Sequence, residues 1–220
     1  MRQWIKIERI PGVLASSYEK ATRLVIDSYY SHVAQEIVVH LEKGTILDLG
    51  TGPGYLPIEI ANRSSNIRIV GVDLSRKLIE MARLNAARAG LSDRLKFQLG
   101  NAGRLNFEDS AFDMVMSTGM LHSLKAPVKV LKEIYRVLKK DGEAWIYDPA
   151  KVVSQVDRRK WKASLTAREQ FFLWLFGLFG LHKPIETYTR EQVTDLIKQT
   201  DFKNYWIEER NKEIKIKLQK

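Results

Sequence analysis

The nine residues Ile46-Leu47-Asp48-Leu49-Gly50-Thr51-Gly52-Pro53-Gly54 decide how the rest of the chain is read. With Thr45, the segment through Leu49 is a short apolar run of the kind found in strands covered on both faces of a parallel sheet. Glycines at alternate positions, 50, 52 and 54, close it. Lacking a Cβ, they let the chain turn tightly and bring backbone N–H groups close to a ligand at the start of the next helix. The spacing departs from the G-x-G-x-x-G loop that cradles a pyrophosphate, because Tyr55 stands where the third glycine belongs. For a glycine cluster taken alone, a tight turn without a ligand is the competing reading.

Outward from this stretch, strand and helix alternate. Helix patterns cover 55–63 and run from Ser75, a candidate N-cap, to a stop near Gly90. Strand patterns cover 67–72, 95–99, 112–116 and 143–147, with a helix over 127–140 opened by Pro127. Upstream, Ile26, Tyr30, Val33, Ile37 and Leu41 recur at intervals of four and three, which predicts an amphipathic helix within 18–42. Downstream, Thr189 and Gln192 form a capping-box pattern, and 205–208 with 214–218 read as a hairpin turning about Asn211. The expectation is an α/β fold: a Rossmann-like, doubly wound, mostly parallel sheet of about seven strands with a C-terminal antiparallel hairpin.

Length and composition limit what else the chain can be. Its 220 residues suit one domain, divided into an N-terminal helical segment (1–44), a cofactor-binding core (45–149), a helical cap insertion (150–186) and a terminal helix with hairpin (187–220). The cap is basic from Lys151 to Lys162 and apolar from Phe171 to Leu181; those eleven residues fall well short of the roughly 20 that cross a bilayer. No cysteine is present, which excludes disulfides, thiolate metal sites and cysteine nucleophiles. Asp148 without acidic or histidine companions in sequence gives no metal site. Lys and Arg total 36 against 26 Asp and Glu, and residues 151–220 hold fifteen basic and nine acidic side chains. Such a field attracts anionic partners, although a solvated lysine-rich surface explains it as well. The charges in Met1 to Arg9 are spaced too closely for a signal-peptide core, so a cytoplasmic location is expected.

Two acidic residues give the glycine loop a ligand. Asp48, two positions before Gly50, suits a ligand carrying an amino group. Asp73 follows Gly54 by nineteen positions at the end of the second strand, where a carboxylate can accept from both hydroxyls of a ribose. S-adenosyl-L-methionine unites a nucleoside with an ammonium and a carboxylate, and Thr51 lies in the same loop. At the end of the fourth strand, Ser117, Gly119 and His122 occupy the sheet edge where such folds bind ligands.

The landmarks DLGTGPG (48–54), GVDLS (71–75), GNA (100–102), FDMVMSTGMLHSL (112–124) and LKEIYRVLKKDGEAWIYDP (131–149) together resemble class I S-adenosylmethionine-dependent methyltransferases. The resemblance spans 45–148 and is to the small-molecule type, similar to the ubiquinone and menaquinone methyltransferases. It implies that Gly50, Gly52 and Gly54 frame the methionine moiety, that Asp73 holds the ribose and that Leu74 covers the adenine. Asn101 and Ala102 would read the adenine edge, Asn101 standing where relatives often have aspartate. It also marks His122, in a histidine-containing segment after strand four, as the group nearest acceptor or cofactor; packing beneath the loop is the competing role. Tyr18, in a family-like YEKAT segment, is a candidate for the cofactor and Tyr188 a candidate catalytic group, both able to reach the pocket, with core or lid packing as the alternative.

The implied reaction is in-line transfer of a methyl group from a sulfonium to a small molecule, hydrophobic ones included, leaving S-adenosyl-L-homocysteine. Positioning supplies most of the catalysis, and a base is needed only when the accepting atom carries a proton. An RNA methyltransferase ranks second, on the basic 151–162 stretch but without an RNA-binding appendage. A cofactor-binding protein without transferase activity is the third reading. The expected partner is a small-molecule acceptor, with nucleic acid ranked below it, and the chain acts as monomer or homodimer.

Overall fold

The computed structural model describes residues 29–149, 187–210 and 213–220. Helix α1 (29–40) precedes β1 (Gly44–Leu49), α2 (Tyr55–Arg63), β2 (Ile67–Asp73), α3 (Arg76–Arg88), β3 (Leu95–Leu99) and β4 (Phe112–Thr118). A 3-10 turn (Leu121–Ser123) leads to α4 (Pro127–Val137), β5 (Leu138–Pro149), α5 (Arg190–Ile197), β6 (Asn204–Arg210) and β7 (Glu213–Gln219). The seven strands form one sheet in the order β3-β2-β1-β4-β5-β7-β6. The first five are parallel, and β7 runs antiparallel to both β5 and β6. The expected doubly wound sheet with a terminal hairpin is therefore observed. Strand order reverses between β1 and β4, and the crevice at such a switch point is where open α/β sheets bind ligands.

Alternation of side chains along each strand separates two cores. Ile46, Ile69, Met114, Trp145 and Tyr147 face α1, α2 and α3, whose Val33, Ile37, Ile60 and Ile79 are buried against them. Leu47, Leu49, Val115 and Ile146 face the other way, onto α4 and α5 through Leu131, Ile134, Val193 and Ile197. Of the α1 stripe read from the sequence, Val33 and Ile37 are buried and Tyr30 and Leu41 pack beside them; Ile26 and Tyr18 lie outside the described residues. So does the cap, 150–186. Among the described residues, no helix is long and apolar enough to cross a membrane.

Helix ends follow their local chemistry. Helix α3 ends in a Schellman motif: Gly90 has φ 70°, its N–H reaches Ala87 O, and the Leu91 N–H reaches Ala86 O. The capping box of α5 is complete, with Thr189 Oγ1 accepting from Gln192 N–H and Gln192 Oε1 from Thr189 N–H. Ser75 occupies the N-cap of α3 as expected, yet its side chain does not cap the helix; the hydroxyl is buried without a partner among the described residues, and the Ser75 N–H is held by Asp73.

One boundary differs from expectation. Helix α4 ends at Val137, short of Lys140, and β5 begins at once and runs twelve residues, longer than the 143–147 core. Leu138 is wholly buried and pairs with Phe112, which draws the chain into the sheet. The surplus residues before Glu143, which pairs with Met114, are absorbed in an irregularity where Asp141 takes φ 63°. Burial of one leucine overrides the helix propensity of the polar residues after it.

Candidate active site

The carboxyl ends of β1, β2, β3 and β4 build the site. β1 continues into the loop through two bonds to β2, from the Gly50 and Thr51 N–H groups to Val72 O. Gly50, Gly52 and Gly54 have φ of 74°, 55° and 81°, the left-handed region that glycine enters without steric cost. They serve different purposes. A Cβ on Gly54, the N-cap of α2, would lie 2.9 Å from the Phe97 ring and 3.0 Å from Ala82, so this glycine sets how closely α2 approaches the sheet. A Cβ on Gly52 would meet nothing within 4 Å; one on Gly50 would press against Met120. Thr51 is buried over Gly71, where a Cβ would come within 2.6 Å of its hydroxyl.

Asp73 ties this loop to β2. Its Oδ2 accepts from Gly52 N–H at 3.0 Å and its Oδ1 from Ser75 N–H at 2.7 Å. Each oxygen keeps a further lone pair, so a ribose would meet a carboxylate that the backbone has already oriented, and not a free one. Burial raises its pKa against these backbone bonds. Asp48 lies one strand away on the same face, 2 % exposed. Burial pushes its carboxyl up to about 7; the Thr51 hydroxyl opposes the rise and the charge of Asp73 adds to it. None of the described cations pairs with Asp48.

Beside Asp73 opens a cavity of about 220 Å³, whose lining does not include the buried Asp48. Gly50, Asp73, Leu74, Asn101 and Ala102, drawn from three separate loops, all line it, joined by Met120, Leu124, Lys129 and Val130. Asn101 Oδ1 accepts from Gly103 N–H at 2.8 Å, which orients the carboxamide and shares the oxygen expected at an adenine. An apolar slot with a carboxylate at one side and an amide at another has the chemistry of a nucleoside site. A positive-φ glycine whose Cβ would close on Met120, together with a buried carboxyl lacking a cation, fits a ligand with an ammonium tail. The residues present thus suit S-adenosyl-L-methionine.

His122 lies in the 3-10 turn after β4. Its backbone N–H donates to Asp148 Oδ2 at 3.0 Å, and its Nδ1 lies 3.1 Å from Asp148 Oδ1. Asp148, at the end of β5, has a side chain with no exposed surface, whereas the His122 side chain keeps 19 % of its own. The loop is held from below as well, by Gly119 N–H on Tyr147 O at 2.7 Å. Asp148 is the site residue that sequence reasoning misses, since a lone acidic residue there suggests only a weak metal ligand. Its signal is positional: an acidic residue at the end of the strand that neighbours the histidine loop.

Two other expected residues take up positions apart from this pair. Ser117, buried, donates its hydroxyl to Leu49 O at 3.0 Å, which ties β4 to β1 beneath the loop. Tyr188 is half-buried against the core of α4 and α5.

Comparisons with known proteins identify the family and the fold. The model of a family described as "Methyltransferase domain" matches residues 40–210. A ubiquinone/menaquinone biosynthesis C-methyltransferase of Geotalea uraniireducens is 31 % identical over 147 residues, which cover 65 % of this chain and 63 % of that protein. A sterol 4-C-methyltransferase of Caenorhabditis elegans is 32 % identical over 123 residues, covering 56 % of this chain and 36 % of that protein. The chain therefore spans a little under two thirds of the first of these and about a third of the second. A crystal structure from Methanococcus maripaludis, assigned to the S-adenosyl-L-methionine-dependent methyltransferases, superposes with a TM-score of 0.75 at 22 % identity, covering 100 % of this chain and 97 % of that one.

Proposed function

We propose that this chain, which belongs to the methyltransferase-domain family, transfers the methyl group of S-adenosyl-L-methionine to a small organic acceptor. The observation that carries the reading is the cavity in which Gly50, Asp73, Leu74, Asn101 and Ala102 converge from three loops. A tight turn needs the glycines alone; the carboxylate, the carboxamide and the apolar slot at their side suit a nucleoside.

The protein's part is mainly to bind and orient. Asp73, already fixed by Gly52 and Ser75, would hold the ribose. Leu74 and Met120 would enclose the adenine, with Asn101 and Ala102 at its edge. Asp48 would face the ammonium, and Gly50 and Gly52 would leave room for the methionine chain. The bound cofactor supplies an electrophilic methyl on sulfur, and placing an acceptor in line with it gives most of the acceleration. Ser117 would support the loop from beneath.

Quinone and sterol methyltransferases among the relatives support a small hydrophobic acceptor and lend nothing to the RNA alternative. A cytoplasmic enzyme, monomeric or homodimeric, belongs to the same reading, supported by the cysteine-free, charge-rich composition. The test is calorimetry with S-adenosyl-L-homocysteine, followed by its release from S-adenosyl-L-methionine with a panel of hydroquinones, sterols and amines. Saturable binding and turnover are expected. No binding would end the proposal, and binding without turnover on any member would favour a cofactor-binding protein.

A further inference from the structure

Within the methyltransferase reading, we infer that Asp148 is a positioning residue that holds His122 as a general base, and that the acceptor therefore carries a proton on the atom to be methylated. The argument begins with the hydrogen bonds. One carboxylate grips His122 twice, at its backbone N–H and at its ring Nδ1. A carboxylate only accepts, so Oδ1 at 3.1 Å demands a proton on Nδ1, and the neutral ring then keeps its lone pair on Nε2. The Asp148 side chain has no exposed surface and the ring retains some; among the described residues Nε2 makes no hydrogen bond, and His122 stands between Met120 and Leu124, which line the cavity, without lining it itself. A histidine serving only to cap or pack the loop would not need its tautomer set by a buried carboxylate.

The surroundings leave Asp148 to this task. Tyr29 of α1 donates its hydroxyl to Glu213 of β7, and burial, the Glu213 bond and the charge of Asp148 hold that phenol protonated. Glu36, also of α1, accepts from Tyr147 and Lys215. Tyr29 and Glu36 of α1 are thus engaged with Glu213 and Lys215 of β7, and His122 is the described partner of the Asp148 carboxylate.

The step balances simply. On a phenol or an amine a lone pair of the accepting atom forms the new X–CH₃ bond and the X–H pair stays on that atom, whereas on an acidic carbon the C–H pair itself becomes the new bond; in each case the proton passes to His122 Nε2 and the pair of the breaking C–S bond stays on sulfur as the neutral thioether. The imidazolium so formed is stabilised by Asp148 and returns its proton to solvent. A tertiary amine or a thioether has no proton to lose at that atom and makes no use of the pair; a phenol, an acidic carbon or a primary amine does.

The test reads the tautomer directly. In long-range ¹H–¹⁵N NMR spectra of histidine-labelled protein, with His122 assigned through H122Q, the proton is expected on Nδ1. In D148N the amide oxygen can still accept the backbone N–H while its NH₂ faces the ring, so the proton should move to Nε2. Turnover on phenol and amine acceptors should drop about a hundredfold or more in D148N, with the KM for S-adenosyl-L-methionine unchanged within about threefold. A wild-type proton on Nε2, an unmoved tautomer in folded D148N, or full turnover in that variant would overturn the inference. The wild-type tautomer is read without an acceptor, so a proton on Nε2 there would refute the pairing even if D148N failed to fold. Failure of S-adenosyl-L-homocysteine to bind the wild type would instead sink the methyltransferase reading and leave the tautomer result standing.

Discussion

Replacing Asp48 with asparagine should make the cofactor-free protein more stable and its cofactor site worse. In the unfolded chain this carboxyl titrates near 3.8; buried beside Asp73 it titrates at about 7. Below about pH 4 it is protonated in both states and costs nothing. As pH rises the unfolded state releases its proton first, so the penalty for folding grows until it is complete above about pH 7. Raising the carboxyl from near 3.8 to about 7 corresponds to roughly 4 kcal/mol. In urea unfolding without cofactor, Asp48→Asn should therefore exceed the wild type by up to roughly 4 kcal/mol at pH 8 and converge with it near pH 4. At pH 8 the variant should bind S-adenosyl-L-methionine more weakly by about 1.5 to 3 kcal/mol, the worth of a hydrogen bond to a charged group. Wild-type affinity should rise with pH up to about 7, and that slope should vanish in the variant. If the variant were no more stable at pH 8, burial would not be straining this carboxyl; if it bound as tightly, Asp48 would not face the ammonium.

Other variants separate support from binding. Asp73→Ala should weaken S-adenosyl-L-homocysteine by about 1.5 to 3 kcal/mol in calorimetry and also lower the melting temperature, because the Gly52 and Ser75 N–H groups lose their acceptor; unchanged binding would refute the ribose role. Gly54→Ala should cost roughly 1 to 3 kcal/mol in denaturant unfolding, from a positive φ and a Cβ against Phe97; a neutral result would mean α2 can move outward freely. Ser117→Ala should cost about 1 kcal/mol of stability through the lost bond to Leu49 while cofactor affinity stays the same, and a selective loss of affinity would show that the hydroxyl serves the ligand directly. His122→Ala should reduce turnover about a hundredfold with cofactor binding retained; undiminished turnover would return the histidine to a packing role.

Local chemistry in the sequence determined a good part of this. Glycines at 50, 52 and 54 take positive φ because nothing else does so cheaply, and Gly90 and the Thr189–Gln192 pair terminate and start helices through bonds a few residues long. Period-two and period-3.6 patterns marked the elements, because burial on one face repeats at those intervals. Residues 48, 73 and 101 were legible as a set since each lies at or near the end of a strand of the same parallel sheet. What only tertiary structure decided depends on neighbours remote in sequence. The strand order 5-7-6 places β7 antiparallel between β5 and β6, and Leu138, buried against Phe112, ends α4 early. Asp48 is pushed up to about 7 only when folding removes its water and brings Asp73 near. Ser117 turns out to bond Leu49, 68 residues away, and Asp148 meets His122 across 26 residues because β4 and β5 lie side by side. Periodicity reports which face a residue occupies; which groups then come within about 3 Å of one another, the reach of a hydrogen bond, is settled by the packing of strands that the sequence keeps far apart.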